Sequence, residues 1–161
     1  MVNIRLATFD DADAIWSILE PVIRAGETYT LPLDIGRDEA LAYWFASGNK
    51  VFVAEKDGDV VGTYYLRANQ RGGGSHVCNC GYMTAAHATG RGIARTMCLH
   101  SKEQARQFGF RAMQFNFVVS TNERAVKLWQ SLGFEIVGRL SLAFQHPTKG
   151  FVDAFVMFAA L

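Results

Sequence analysis

Residues 76–94 read HVCNCGYMTAAHATGRGIA, and this stretch decides the predicted fold. Its first nine residues are mostly apolar and predict a β-strand over residues 76–84. A short polar loop then leads through Gly90-Arg91-Gly92 into a helical pattern that runs to about Phe108. Residues 111–119 form another apolar run and predict the next strand. Strand, loop, helix and strand in this order predict a crossover between two parallel strands.

The loop at Gly90-Arg91-Gly92 has the features of an anion site. Backbone N–H groups at the start of a helix lack partners within the helix, and the helix dipole adds partial positive charge there. Glycines let the backbone approach a phosphate closely, and Arg91 and Arg95 add charge nearby. Taken alone, a Gly-x-Gly sequence is also typical of a plain turn before a helix. It fits neither a P-loop nor a Rossmann fingerprint, because no Gly-Lys-Ser/Thr follows and the third glycine is absent.

Sequence periodicity on either side of this unit predicts the remaining elements. Strands are predicted at residues 2–7, 50–55, 60–66, 76–84, 111–119, 135–144 and 151–159, and helices at about 10–25, 37–47, 92–108 and 120–132. This order predicts an α+β fold, in which a mixed, mostly antiparallel sheet of about seven strands is flanked by four helices. Because no linker or repeat interrupts the pattern, residues 1–161 are expected to form a single domain.

Apolar residues at helical spacing predict which side of each helix faces the sheet. The predicted inward stripes are Ala12, Ile15, Trp16, Leu19, Val22 and Ile23 in the first helix, Leu41, Trp44 and Phe45 in the second, and Ala94, Met97, Cys98, Ser101, Ala105 and Phe108 in the third. Residues 120–123, Ser-Thr-Asn-Glu, have the form of a capping box that opens the fourth helix.

Composition and charge exclude several classes of function. The chain has 161 residues, of which 50% are hydrophobic and 19% charged, and its formal net charge is +1. This balance argues against a nucleic-acid or membrane module driven by bulk electrostatics. No apolar run approaches the roughly 20 residues of a membrane span, and the first residues do not resemble a signal peptide. Three cysteines indicate neither a disulfide framework nor a zinc site, so a reduced cytoplasmic protein without a metal is expected.

A second block, NERAVKLWQSLGF at residues 122–134, makes the glycine loop a specific signal. The loop, Thr89-Gly90-Arg91-Gly92-Ile93-Ala94, and this block together resemble the two motifs of the GNAT superfamily of N-acetyltransferases, at the right separation and on the right elements. The resemblance implies that acetyl-CoA is the cosubstrate and lies in the gap between strands 76–84 and 111–119. It also implies that the loop holds the CoA pyrophosphate and that Asn122 contacts CoA.

Two residues depart from the superfamily pattern. Thr89 stands where the family usually has Gln or Arg, which should weaken rather than abolish binding, because the loop acts mainly through its backbone. Trp129 stands where the family usually has a Tyr that is often proposed to protonate the departing thiolate. An indole N–H is a hydrogen-bond donor but not a usable acid. A thiol with a pKa near 8.5 is nevertheless a tolerable leaving group without such help.

Stretches within residues 60–155 resemble one branch more closely, the fungal acetyltransferases of proline analogues such as azetidine-2-carboxylate. They are Gly62-Thr63-Tyr64-Tyr65, Ser75-His76-x-x-Asn79-x-Gly81-Tyr82, Phe115-Asn116, Val119-x-Thr121-Asn122 and Val152-Asp153-Ala154. The N-terminal third is also similar to the phosphinothricin-type acetyltransferases, in which the loop after the first helix helps to form the substrate pocket. The branch resemblance implies that Asn79 and Asn116 contact an amino-acid substrate. Each asparagine could instead satisfy a bulge or a neighbouring strand.

The implied reaction is direct attack of a neutral amine on the thioester carbonyl. In the family, a backbone N–H at the splayed end of the strand, here about Tyr82–Met83, stabilises the charge that develops on the oxygen. The amine must also lose a proton. Glu27, in the loop after the first helix, is one candidate base, and a water path held by Asn79 and Asn116 is the alternative.

Three functions stay open at this point. The first is acetylation of a small-molecule amine, an amino acid or an amino-acid analogue. The second is acetylation of a protein N-terminus or lysine, and the third is a non-catalytic acyl-CoA-binding module, supported only by Trp129. Many members of the superfamily dimerise, so a homodimer is also an expectation.

Overall fold

The computed structural model describes all 161 residues. Its strands are β1 (Asn3–Leu6), β2 (Lys50–Lys56), β3 (Asp59–Ala68), β4 (Val77–Thr84), β5 (Ala112–Val119), β6 (Glu135–His146) and β7 (Gly150–Ala160). Its helices are α1 (Ala12–Ala25), α2 (Arg37–Trp44), α3 (Ile93–Gln107) and α4 (Glu123–Ser131). The predicted α+β architecture is confirmed, since every predicted strand and helix is present. None of the helices is long and apolar enough to cross a membrane.

The seven strands form one sheet in the order β1-β2-β3-β4-β5-β7-β6. All neighbours are antiparallel except β4 and β5, which run parallel and are joined through α3. These two strands pair at only two positions, Val77 with Ala112 and Cys78 with Met113. Beyond Cys78 the strands separate, so the predicted gap between them is confirmed and opens toward their carboxyl ends.

The helices cover both faces of the sheet, and the alternation of side chains along each strand decides which residues meet them. On one face, the indole N–H of Trp44 in α2 donates to the hydroxyl of Thr63 at 3.0 Å. On the other face, the phenol oxygen of Tyr82 and the hydroxyl oxygen of Ser101 in α3 lie 2.7 Å apart. The indole of Trp129 in α4 packs beside Tyr82, with 5.2 Å between ring centroids. Helices α3 and α4 therefore share one face, and α2 lies on the other together with α1, which contacts it.

Most of the predicted inward stripes are buried, but two aromatic residues are not. Phe45 is 37% exposed and Phe108 is 42% exposed. Both follow the last residue of their helix, because α2 ends at Trp44 and α3 ends at Gln107, so the helical period no longer turns them toward the sheet. The ammonium of Lys50 lies 4.7 Å from the centre of the Phe108 ring and covers part of it.

The predicted capping box before α4 is wrong. Asn122 occupies the N-cap position, and no side chain caps the helix. Ser120 is still tied to the sheet, because its backbone N–H donates to the carbonyl of Asp153 on β7 at 2.9 Å. Because α4 begins only at Glu123, Ser120 stands two residues before the N-cap and cannot cap it, and the side chain of Asn122 makes no hydrogen bond within the chain.

Candidate active site

The point where β4 and β5 separate is braced by a side chain. Asn79 follows the last backbone pair and is 6% exposed. Its Nδ2 donates to the carbonyl oxygen of Gln114 on β5 at 2.9 Å, where a ladder hydrogen bond would otherwise lie. The amide nitrogen of Asn79 therefore satisfies the neighbouring strand, as one reading of the sequence allowed. Its Oδ1 has no hydrogen-bond partner in the chain.

A cavity of about 380 Å³ lies against this brace, on the α1 and α2 face of the sheet. Its walls come from the loop after α1, through Thr28, Tyr29 and Thr30, and from β3, β4 and β5. Asn79 and Asn116 both line it, so the structure brings the two predicted asparagines to one cavity. We refer to it below as the acceptor cavity.

Asn116 lies at the solvent-exposed rim of the acceptor cavity in a chain of amides. Its Nδ2 donates to Oδ1 of Asn69 at 2.7 Å, and its Oδ1 accepts from Nε2 of Gln114 at 3.0 Å. Asn69 immediately follows β3, and nothing in its local sequence indicated this contact. Asn116 is therefore held by two side chains and presents a fixed amide to the cavity.

One wall of the acceptor cavity is closed by a tyrosine. The phenol of Tyr29 donates to the backbone carbonyl of Tyr82 at 2.9 Å, which ties the loop after α1 to the splayed part of β4. Burial raises the pKa of Tyr29 well above its usual value, so the phenol keeps the proton that it donates. The sequence places Tyr29 in the loop after the first helix, which the family resemblance assigns to the substrate pocket, but gives no sign of its contact with β4.

The register of β3 and β4 decides which backbone N–H faces the gap. Ala85 donates to the carbonyl of Val61, and Asn69 donates to the carbonyl of Val77, so these are hydrogen-bonded pairs of the antiparallel ladder. Hydrogen-bonded and non-bonded pairs alternate along such a ladder, which makes Tyr82 a non-bonded partner of Tyr64. The N–H of Tyr82 therefore points toward the gap. The N–H of Met83 points back into the sheet, although its side chain lines the acceptor cavity.

The predicted base does not lie in the cavity. Glu27 is exposed to solvent and is not among the residues that line it. No Asp, Glu or His lines the acceptor cavity, and Arg67 is the single charged residue that does. The geometry therefore gives no support to Glu27 as the base.

A second cavity of about 470 Å³ lies on the other side of the gap, at the start of α3. Five of the six loop residues assigned to the cofactor line it, namely Thr89, Gly90, Gly92, Ile93 and Ala94, whereas the exposed Arg91 does not. Arg95 and Arg124 supply the positive charge instead. Arg124 was not predicted, although it stands two residues after Asn122 in the second sequence motif.

The start of α3 offers an unusual number of free donors. The backbone N–H groups of residues 90–95 make no hydrogen bond within the chain, and the next one, of Thr96, donates to the carbonyl of Gly92 at 3.0 Å. Gly90 and Gly92 have φ values of 80° and 79°, which side-chain-bearing residues rarely adopt. Consecutive free N–H groups with this backbone form a concave anion site. These residues fit the phosphates of a nucleotide cofactor.

The two cavities meet at shared residues, namely Tyr82, Thr84, Asn122, Ala125 and Trp129. Asn122 caps α4 only through its backbone, so its side chain remains available at the junction. Trp129 is 8% exposed and packs between Tyr82 and Phe115. No cluster of His, Cys, Asp or Glu side chains is arranged to hold a metal ion. Because the two cavities share residues, a cofactor in the second cavity can meet an acceptor in the acceptor cavity.

A splayed pair of parallel strands beside a helix start with free N–H groups is the arrangement that the sequence resemblance led us to expect of an acyl-CoA-dependent acyltransferase. The chain matches the family model described as the acetyltransferase (GNAT) family over residues 14–134. It therefore belongs to the GNAT family and is an acetyl-CoA-dependent N-acetyltransferase.

Individual relatives agree with this membership. A GCN5-related N-acetyltransferase from Kribbella flavida is 40% identical, with a TM-score of 0.94 over 99% of this chain and 98% of that one. The N-acetyltransferase aca1 of Schizosaccharomyces pombe is 26% identical over 151 residues, which cover 83% of this chain and 72% of that protein. The fold is also that of yncA from Salmonella typhimurium, solved with its cofactor acetyl-CoA, at 22% identity and a TM-score of 0.86 over 100% of this chain and 94% of that one.

Proposed function

We propose that this enzyme transfers an acetyl group from acetyl-CoA to the amine of a small molecule, an amino acid or an amino-acid analogue. The observation that carries the proposal is the junction of the two cavities at Tyr82, Asn122 and Trp129. The acceptor cavity contains Asn79 and Asn116, and the second cavity contains the free backbone N–H groups at the start of α3. Holding two reactants at such a junction supplies most of the rate gain in a transfer of this kind.

The size and closure of the acceptor cavity favour a small acceptor over a protein. A volume of about 380 Å³ is within the range of small-molecule sites. The hydrogen bond from Tyr29 to Tyr82 joins the loop after α1 to β4 and closes one wall of the cavity. An acetyltransferase of protein N-termini or lysines needs an open groove, so this bridge favours a free amine.

The chain's own residues support direct attack of the acceptor amine. The amine nitrogen bonds to the thioester carbonyl carbon, the carbon–sulfur bond breaks, and the sulfur leaves as thiolate. The Tyr82 N–H, directed into the gap, stabilises the negative charge on the carbonyl oxygen. The free Oδ1 of Asn79 accepts a hydrogen bond from the amine and orients it, while Asn116 fixes the acceptor at the rim. The proton lost by the amine passes to water, because no acidic or histidine side chain lines the cavity.

The cofactor-binding roles follow the same geometry. The free N–H groups of residues 90–95 receive the pyrophosphate, with Arg95 and Arg124 adding charge. Thr89 lines the same cavity, but its hydroxyl donates to the carbonyl of Ala85 at 3.3 Å and its N–H donates to the carbonyl of Ala86 at 3.4 Å, so it shapes the loop and leaves the phosphates to residues 90–95. The side chain of Asn122 contacts the CoA chain where the cavities join.

A thiol-release assay tests the proposal. The purified enzyme is incubated with acetyl-CoA and either free amino acids or short peptides that begin with the same residues, and free CoA is measured. We expect turnover with one or more free amino acids and at least tenfold lower kcat/KM with the matched peptides. Preferred turnover of peptides would establish the protein-acceptor function instead.

We also propose that the enzyme works in the cytoplasm as a homodimer. Its three cysteines are buried free thiols, as expected in a reducing compartment. Strand β6 is an edge strand with exposed apolar side chains, including Val137 and Leu142, which are 58% and 63% exposed.

Light scattering after gel filtration should give the dimer mass for the wild type and the monomer mass for Leu142→Asp. Leu99→Asp, an exposed position on α3, is the matched control, and a monomeric wild type would contradict the dimer.

A further inference from the structure

The acceptor cavity has an unusual charge balance. Arg67, near the end of β3, is its only charged lining residue. The other titratable groups that line it are the thiol of Cys80 and the phenols of Tyr29, Tyr43, Tyr65 and Tyr82. Burial raises the pKa values of Cys80, Tyr29, Tyr65 and Tyr82, so these four groups carry no negative charge near neutral pH. The cavity is therefore cationic.

Arg67 also lacks a partner. The arginines that form ion pairs are Arg5, Arg24, Arg37, Arg106 and Arg139. Arg67 makes no ion pair and no side-chain hydrogen bond, and every other unpaired arginine is exposed whereas Arg67 is half-buried. Its guanidinium lies 5.6 Å from the centre of the Tyr65 ring, which fixes its position. A partly buried, positioned and unpaired guanidinium is suited to receive a carboxylate in two hydrogen bonds.

The register places Arg67 beside the predicted amine-binding group. Arg67 is the direct cross-strand partner of Asn79 on β4. Side chains opposite each other in an antiparallel pair lie about 5 Å apart at Cβ. This spacing suits a molecule that carries a carboxylate and an amine on one carbon, as an α-amino acid does, with the carboxylate at Arg67 and the amine at Asn79.

We propose that Arg67 determines acceptor specificity by binding the carboxylate of an amino acid, and that the acceptor binds with its amine already neutral. The proposal rests on the proposed function and names its substrate class. A charged ammonium would meet the Arg67 charge and find no acid to stabilise it or take its proton. The proton is therefore lost to solvent before binding. The rate at low acceptor concentration should then follow the fraction of acceptor whose amine is uncharged.

The test compares standard L-amino acids with their carboxamides, which keep the amine and remove the carboxylate charge. Arg67→Gln should lower kcat/KM for the amino acid about 10- to 100-fold, with the carboxamide changed less than about threefold. The KM for acetyl-CoA should stay the same. Arg71→Gln, which removes the same charge from an exposed neighbouring position, should leave both acceptors unchanged. If Arg67→Gln lowers kcat/KM equally for the amino acid and its carboxamide, or does not lower it for the amino acid, the proposal is overturned.

Arg67→Lys provides a second variant if the glutamine variant folds poorly. Lysine keeps the positive charge but lacks the planar guanidinium that makes two parallel hydrogen bonds. We therefore expect kcat/KM for the amino acid to lie between those of wild type and Arg67→Gln, with kcat/KM for the carboxamide unchanged. Melting curves with saturating CoA report folding for each variant. A loss shared equally by the carboxamide would count against a carboxylate site.

Acceptors with different amine pKa values test the second half of the proposal. The pH at which kcat/KM levels off should move with the amine pKa of each acceptor. If kcat/KM levels off at the same pH for every acceptor, an enzyme group is the base, and the claim that the amine binds already neutral is overturned. If no amine of any kind is acetylated, the proposed function itself fails. In that case, calorimetry of the CoA-bound enzyme with amino acids and carboxamides still tests Arg67, because only the amino acids should bind.

Discussion

The side-chain nitrogen of Asn79 donates to the carbonyl oxygen of Gln114 at 2.9 Å, one residue beyond the last backbone pair between β4 and β5. This bond takes the place of the next ladder bond and holds the strands at the point where they separate. The same residue turns its free Oδ1 to the acceptor cavity. A structural brace and a proposed substrate contact are therefore combined in one amide.

Asn79→Ala should weaken both stability and activity. It leaves the Gln114 carbonyl without its buried partner, which should lower the free energy of unfolding by about 1–3 kcal/mol. Urea unfolding measures this loss, and kcat/KM should fall together with it. Asn69→Ala is the matched control, because it removes only a rim contact with Asn116 and should cost less than about 0.5 kcal/mol. Equal stability of Asn79→Ala and wild type would exclude the brace.

Asn116→Ala should act on the acceptor and not on the cofactor. Its amide lines the acceptor cavity but not the second cavity, at the start of α3. We expect a higher KM for the acceptor or a lower kcat, with little change in the KM for acetyl-CoA. Two-substrate steady-state kinetics separate these parameters, and unchanged constants would remove Asn116 from the site.

Trp129→Phe should retain substantial activity. The tryptophan has no usable proton to give, and its position between Tyr82 and Phe115 is mainly one of packing. The smaller ring should cost about 1–2 kcal/mol of stability. Turnover under saturating substrates is the measurement. A fall of several orders of magnitude in a folded variant would show that the indole takes part in the chemistry.

Gly92→Ala should weaken acetyl-CoA binding. Gly92 has φ 79°, where an L-residue is strained by about 1–2 kcal/mol, and relief of that strain would turn the neighbouring N–H groups away from the phosphates. We expect the KM for acetyl-CoA to rise about tenfold. Gly109→Ala introduces similar strain at φ 86° after the far end of α3 and should leave this KM unchanged. A similar KM change in both variants would mean that the loop backbone is not the anion site.

Asp11 should make stability depend on acidic pH. Hydrogen bonds from the Arg5 guanidinium, with a further one from the Thr8 backbone, lower the pKa of Asp11 to about 2. Because the folded pKa lies below the ordinary value, the carboxylate stabilises the protein above about pH 4 and loses this effect as the pH falls toward 2. Arg5 is partly exposed, so the contribution is about 1–2 kcal/mol. Asp11→Asn should show this deficit at pH 7, and the difference from wild type should shrink in urea unfolding below about pH 3.

The fold was predictable from local patterns. The Asp57-Gly58 turn has positive φ at both residues, as its sequence indicates for a two-residue hairpin, and it fixes the pairing of β2 with β3. The Gly90-Arg91-Gly92 loop begins α3 where the pattern placed it. Errors occurred where a helix ended sooner than its apolar pattern, as at Phe45, or began later than its capping pattern, as after Ser120.

The site was predictable only in part. Asn79 and Asn116 were singled out by the resemblance to the fungal branch, and the rarity of amides in apolar strands agreed with it. Arg67 and Tyr29 could not be found in this way, because their roles depend on what lies across the sheet and not on their neighbours in sequence. Arg91 was expected to contribute charge, but the loop turns it toward solvent, and Arg124 lines the cavity from α4. Only the tertiary arrangement distinguishes these arginines.

A crystal structure with CoA and the best amino-acid acceptor would test the proposed small-molecule function most directly. The acceptor should lie in the cavity between the loop after α1 and the splayed strands, with its carboxylate at Arg67. Its amine should lie between Oδ1 of Asn79 and the sulfur of CoA. Acceptor density outside this cavity, or with the amine turned away from the sulfur, would contradict the assignment.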